Sequence, residues 1–241
     1  MKHLYKLLAL CLILSMCACT NQGNGNQVTE NTDTPQINEE DNSKDALAFK
    51  EEYEVLNGTT NEYNSKEYLT ITIAEDNPIY YSSLSEVTEL IKSGTGVIYL
   101  GYPTCPWCRN ALPALFEQAS ETGIEKIYYV NMKEARDTKK LDDDGNIVTT
   151  KEPQAGYYEL VEALGDTASV YDGLNDESVR RIYVPAVIVV KEGEVLLYHE
   201  STVESQLDPY TPMDEAQFAE LKKIYKDGFM KMLYDVCDSK C

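Results

Sequence analysis

Two cysteines three positions apart, in Cys105-Pro106-Trp107-Cys108, are the residues of this chain whose types and spacing could do chemistry. They follow the apolar run Val97-Ile98-Tyr99-Leu100 and precede a helix-like stretch that begins at Arg109. Where a strand turns into a helix, the first sulfur of such a pair lies over the helix N-terminus. Free backbone N–H groups and the positive end of the helix dipole favour thiolate there. The second sulfur lies close enough to close a disulfide, so the chemistry expected is thiol–disulfide exchange. Pro106 has no N–H to misplace, and Trp107 offers an apolar face to a docking partner. Arg109 either adds positive charge near the thiols or lies solvated on the helix face.

The elements that must position this pair are readable from periodicity. Residues 45–57 carry Ala46, Leu47, Phe49, Tyr53 and Leu56 and predict a short packing helix. Residues 68–73 alternate at period two and predict a strand, and 83–93 carry Leu84, Val87, Leu90 and Ile91 at helical spacing before Gly94. A strand over 97–100, a helix over 109–122 kinked at Pro113 and stopped by Gly123, and a strand over 124–131 follow. Further on come a helix over 157–164, strands over 184–191 and 195–199 about the turn Glu192-Gly193, and a closing helix over 214–234. Alternating elements that end in a hairpin predict an α/β fold with a mixed central sheet flanked by helices. The acidic loop Asp142-Asp143-Asp144-Gly145-Asn146 does not fit a calcium loop, because counting back from Gly145 puts Lys140 in the first ligand position. It predicts a surface hairpin turn instead.

The chain has 241 residues and a formal net charge of −20, which argues against a nucleic-acid or anionic-lipid surface. Its start, Met1-Lys2-His3-Leu4-Tyr5-Lys6, is basic, and the apolar run 7–18 is too short to span a bilayer. That is the layout of a signal peptide over 1–18. The site around Cys19, preceded by Ala18, resembles a bacterial lipoprotein processing site; Cys17, preceded by Met16, is the alternative. Residues 19–44 are polar and acidic and predict a disordered tether, with the folded domain over 45–241. Export makes disulfides permissible, so the remaining cysteines Cys105, Cys108, Cys237 and Cys241 are read as redox-active or structural before any metal site. Neither a metal nor a cofactor is expected.

The strand, Cys105-Pro106-Trp107-Cys108, the proline-kinked helix and then Tyr183-Val184-Pro185-Ala186-Val187-Ile188-Val189-Val190 together resemble the thioredoxin superfamily. More narrowly, Gly101-Tyr102-Pro103-Thr104 and the long insertion before Arg181-Ile182-Tyr183-Val184-Pro185 are similar to Gram-positive lipoproteins grouped as bacteriocin transport accessory proteins. The resemblance implies a thioredoxin-like fold with an insertion before the strand that Pro185 opens. It implies a cis bond at Pro185, with Val184 contacting the substrate. Cys105, at the helix N-terminus and more exposed, is then the attacking thiolate, and Cys108 resolves the mixed disulfide. One departure stands out: no acid lies in Thr95-Gly96-Val97-Ile98-Tyr99, where thioredoxins usually carry a buried proton acceptor. Either another group such as Glu134 or a water takes that role, or the proton step is slow.

Three readings of function follow. The first is a membrane-anchored, extracytoplasmic thiol-disulfide oxidoreductase acting on protein thiols or disulfides, with a membrane redox partner and no nucleic acid. The second is a non-catalytic accessory module that binds an exporter or peptide, and the third is a metal-binding lipoprotein. Cys237 and Cys241, four apart in a predicted helix, form a structural disulfide only if the helix end unwinds; otherwise they are free thiols or a relay to the central pair. His199 is expected on a strand surface.

Overall fold

The computed structural model describes residues 42–234. The leader with Cys17 and Cys19, the tether as far as residue 41, and the pair Cys237 and Cys241 lie outside the described residues. Helix α1 (Ser43–Glu54) opens slightly ahead of the expected domain start, because the Asn42 side chain donates to the Asn77 and Ile79 carbonyls at 2.9 and 3.2 Å. Next come β1 (Ile79–Tyr81), α2 (Leu84–Ser93), β2 (Gly96–Gly101), α3 (Pro106–Thr122) and β3 (Ile127–Asn131). A long excursion then holds α4 (Met132–Ala135), β4 (Thr138–Leu141), β5 (Ile147–Lys151), α5 (Tyr157–Leu164), β6 (Ser169–Val170) and β7 (Arg180–Arg181). The chain returns through β8 (Ala186–Lys191), β9 (Glu194–Glu200) and α6 (Glu215–Leu233). Among the described residues no helix is long and apolar enough to cross a membrane.

The central sheet has the order β1-β3-β2-β8-β9, with β1, β3 and β2 parallel and β8 and β9 antiparallel to their neighbours. Side-chain alternation divides its two faces. On the face of Val97, Tyr99 and Gly101 lie α1, α3 and α6: Tyr99 meets Tyr53 of α1, and the α1 ring of Phe49 packs on Phe116 of α3 at 5.9 Å. Gly228 lets α6 approach this same face, since a Cβ there would come within 2.7 Å of Leu197. The other face is covered by α2, whose Leu90 packs over Gly96 and whose start carries a full capping box between Ser83 and Glu86. The Val97–Leu100 run is buried on both faces, which is why it reads as a continuous apolar stretch.

Two expectations need correction. Residues 68–73 alternate as predicted, with Ile71 and Ile73 buried and Thr70 and Thr72 exposed, yet they form no regular strand. Side chains of α1 and the turn after it take the place of a neighbouring strand. Asn57 brackets Ile71, receiving its N–H at 3.1 Å and donating to its carbonyl at 2.8 Å, while Glu54 and Lys50 do the same for Ile73. The penultimate strand opens at Ala186 rather than Val184, because Pro185 has no N–H to give a ladder. The acidic loop is the expected hairpin turn between β4 and β5: the Asp142 carboxylate receives the Asp144 and Asn146 backbone N–H groups at 3.0 and 2.8 Å.

Candidate active site

Strand β2 ends at Gly101 and α3 begins at Pro106, so Cys105 falls at the N-cap of α3. Its Sγ receives the Cys108 backbone N–H at 3.4 Å, as an N-cap oxygen would, and Pro106 occupies the first helical position where no N–H is needed. One turn further in, Cys108 is fully buried, whereas Cys105 is 5 % exposed. Both sulfurs are free thiols.

The same helix end treats the two thiols in opposite ways. A hydrogen bond with Cys108 holds the Cys105 thiol below its ordinary value, helped by the Cys108 and Trp107 backbone N–H groups and the Arg136 charge; burial opposes them. Burial pushes the Cys108 thiol well up, and its hydrogen bond with Cys105 and the negative charge there push it further. Cys105 is therefore the group that ionises first.

Beside Cys105 runs the segment that enters β8. The Val184–Pro185 bond is cis, and the Cys105 thiol donates to the Val184 carbonyl at 3.7 Å. Trp107, Tyr183, Val184 and Glu200 line a groove of about 470 Å³ on this side. On the other side, Tyr68, Tyr102 and Thr104 border a second groove of about 590 Å³. A pocket of about 600 Å³ beside Pro113 and Phe116 is lined by none of these residues.

Arg109 and Glu134 are not where the sequence places them. Arg109 is fully buried and turned away from solvent: Nε donates to the Leu69 carbonyl at 2.8 Å, Nη1 to Tyr53 at 2.8 Å and Nη2 to the Asn57 side chain at 2.6 Å. It pins residues 68–73 to α1 and supplies the cation that the last turn of α1 lacks. Glu134 faces outward and pairs with Lys151 at 3.2 Å, so it is no proton acceptor for the thiols. The cation near Cys105 is Arg136, which lies over the Tyr102 ring at 5.4 Å and donates to its hydroxyl at 3.0 Å. Parallel pairing of β2 and β3 puts Gly101 level with Asn131, so the loops after both strands share one edge of the sheet. That edge is where open α/β sheets gather functional groups, which is the signal that points to Arg136.

No acid stands on β2, but Tyr99 does. It is fully buried, acts on the Cys108 sulfur as a hydrogen-bond donor, and shares a hydrogen bond of 3.1 Å with the Tyr53 hydroxyl. Gly101 makes the room: a Cβ there would sit 2.4 Å from the Tyr99 hydroxyl. His199 is half-buried against the Tyr225 ring at 5.8 Å rather than on an open strand surface, and its Nε2 meets the Thr202 carbonyl at 2.8 Å. Among the described residues no three His, Cys, Asp or Glu side chains converge as metal ligands. No protein-family model matches the chain, and no curated protein sequence is significantly similar to it.

Proposed function

We propose that this chain is a thiol-disulfide oxidoreductase with a thioredoxin-like fold, acting on proteins outside the cytoplasmic membrane from a lipid anchor at Cys19, with Cys17 as the alternative. The observation that carries the activity is the Cys105 sulfur at the N-cap of α3, held towards thiolate and facing the Val184 carbonyl at 3.7 Å. The fold is supported by the strand order, by the thiol pair between β2 and α3, and by the cis proline that opens β8. The anchor rests on the leader sequence alone.

In the reducing direction the Cys105 thiolate attacks a client disulfide. One client sulfur leaves as thiolate and the other stays bonded to Cys105. Cys108 then loses its proton and attacks the Cys105 sulfur, closing the Cys105–Cys108 disulfide and releasing the second client thiolate. Oxidation runs the same steps backwards. An extended client suits the site, because the Val184 backbone offers pairing groups beside the reacting sulfur and Trp107 offers an apolar wall.

The test is to replace Cys108 by Ala, which leaves attack intact and removes resolution. The variant should accumulate mixed disulfides with clients that reducing agent releases, and the further change Cys105→Ala should abolish them. If no adduct forms and the wild type neither reduces insulin nor refolds a reduced client, the chain is the non-catalytic accessory module instead. A reduction potential near ~−270 mV would mark a reductant and one near ~−120 mV an oxidant.

A further inference from the structure

Resolution by Cys108 poses a problem that the thiol pair alone does not solve. The sulfur is fully buried and its proton must leave, yet no carboxylate is among the groups that act on it. A file of phenols stands there instead. Tyr81, Tyr129 and Tyr99 are register partners across β1, β3 and β2, so they share the face that α1 and α3 cover. The Tyr99 and Tyr129 rings stack at 5.6 Å, and Tyr53 of α1 closes on the Tyr99 hydroxyl at 3.1 Å. The Tyr129 hydroxyl donates to the Glu52 carboxylate at 3.4 and 3.5 Å. Glu52 is half-buried at the rim, where it also receives the Tyr81 hydroxyl and the Asn131 amide, each at 2.5 Å.

We propose that the Tyr99 hydroxyl exchanges the proton of Cys108, and that Tyr53, Tyr129 and Glu52 pass that proton between the buried sulfur and solvent. The inference rests on the oxidoreductase reading and deepens it. A structural role alone would need only filled space and satisfied hydroxyls. Here hydroxyls from two strands and a helix line up between a buried thiol and a carboxylate that reaches water. Burial holds Tyr53 and Tyr99 well above the ordinary phenol value, and burial with the Glu52 charge does the same for Tyr129. They therefore act as neutral relays, each accepting one proton as it gives up its own. In the resolving step the Cys108 proton passes to the Tyr99 oxygen and one proton arrives on Glu52. The freed electron pair on Cys108 attacks the Cys105 sulfur, the new disulfide forms, and the bond to the client sulfur breaks with that sulfur leaving as thiolate.

Other groups face this pair. Cys105 lies beside Cys108, the Arg109 charge is felt by Tyr99 from α3, and Arg136 with Tyr102 stands on the Cys105 side. From α6, the buried Tyr225 hydroxyl, with no hydrogen-bond partner among the described residues, also feels Cys108. Tyr225 has no contact with Glu52 and serves as the internal control.

A chromophoric aromatic disulfide separates the two thiol steps in the full-length protein. Attack by Cys105 releases the first coloured thiolate and resolution by Cys108 releases the second, so stopped-flow absorbance shows two phases. Tyr99→Phe should slow the second phase about 100-fold at neutral pH, the scale of a lost acid–base group, and move its pH midpoint upward while the first phase holds. Glu52→Gln should slow the second phase about 10-fold, a smaller loss because water still reaches the rim. Tyr225→Phe should change neither phase. If Tyr99→Phe proves misfolded by circular dichroism, Tyr129→Phe and Glu52→Gln carry the test from the outer end. A normal first phase with a second phase untouched by these changes, or slowed equally by Tyr225→Phe, overturns the relay. Absence of both phases from the wild type overturns the oxidoreductase reading itself.

Discussion

Replacing Arg109 by Leu separates a buried strut from an electrostatic partner of the thiols. Three acceptors lose a guanidinium donor, but not equally. The Tyr53 carbonyl still receives the Leu56 N–H at 3.4 Å, and the Asn57 side-chain oxygen still receives the Ile71 N–H at 3.1 Å. The Leu69 carbonyl has no other donor among the described residues. Orphaning it should cost about 2 kcal/mol, and weakening the other two about 1 kcal/mol each, so the loss is about 4 kcal/mol. At this chain size that lowers Tm by about 8–16 °C. Leu fills much of the volume, so the cost is one of hydrogen bonding and not of a cavity.

Urea melts followed by far-ultraviolet circular dichroism measure the loss. Thiolate absorbance against pH measures the second half of the prediction: the Cys105 titration should not move, because Arg109 does not act on Cys105. A loss below about 1 kcal/mol, the ordinary range of a surface change, would refute the strut. An upward move of the Cys105 titration would refute its separation from the thiols.

Arg136→Ala should do the reverse of Arg109→Leu, raising the Cys105 titration and slowing its alkylation at neutral pH with little loss of stability; unchanged alkylation would remove Arg136 from the site. His199 gives a pH signature, because burial sets its folded value below the ordinary ~6.5. As pH falls through that unfolded value, the unfolded chain takes up a proton that the folded chain refuses, so stability drops below about pH 6.5. His199→Gln should flatten the fall in Tm between pH 7.5 and 5, and an unaltered slope would exclude His199 as a contributor.

The parts of this molecule that could be read in advance are those set by neighbours in the chain. Cys105 at an N-cap, Pro106 behind it, the stop at Gly123 and the hairpin about Glu192-Gly193 follow from local backbone preferences. Residues 68–73 mark the limit. Alternation predicted which side chains are buried, but it cannot say what satisfies the backbone, and here Asn57, Glu54, Lys50 and Arg109 do what a strand would. Arg109 escaped for the same reason: its direction depends on where α1 docks, a long-range fact. Arg136 and Tyr99 were hidden differently. Each is an ordinary residue in its own segment, and only the parallel pairing of β2 with β3 brings them to the thiols.

That pairing also explains how one helix end can hold two sulfurs in such different states. A helix N-terminus stabilises negative charge only over its first turn, so Cys105 receives the exposed N–H groups while Cys108, one turn deeper, receives the core. Left there, Cys108 would be a thiol that never ionises, and the pair would attack clients without releasing them. The remedy has to come from another element, since α3 has no acid in its first turn. In this chain β2 offers Tyr99, whose neutral hydroxyl costs far less to bury than a carboxylate would. A buried acid beside Cys108 would repel the thiolate it helps to make. A phenol donates a hydrogen bond to that thiolate and adds no charge, so the aromatic packing that holds α1 on the sheet suits the second sulfur to its task.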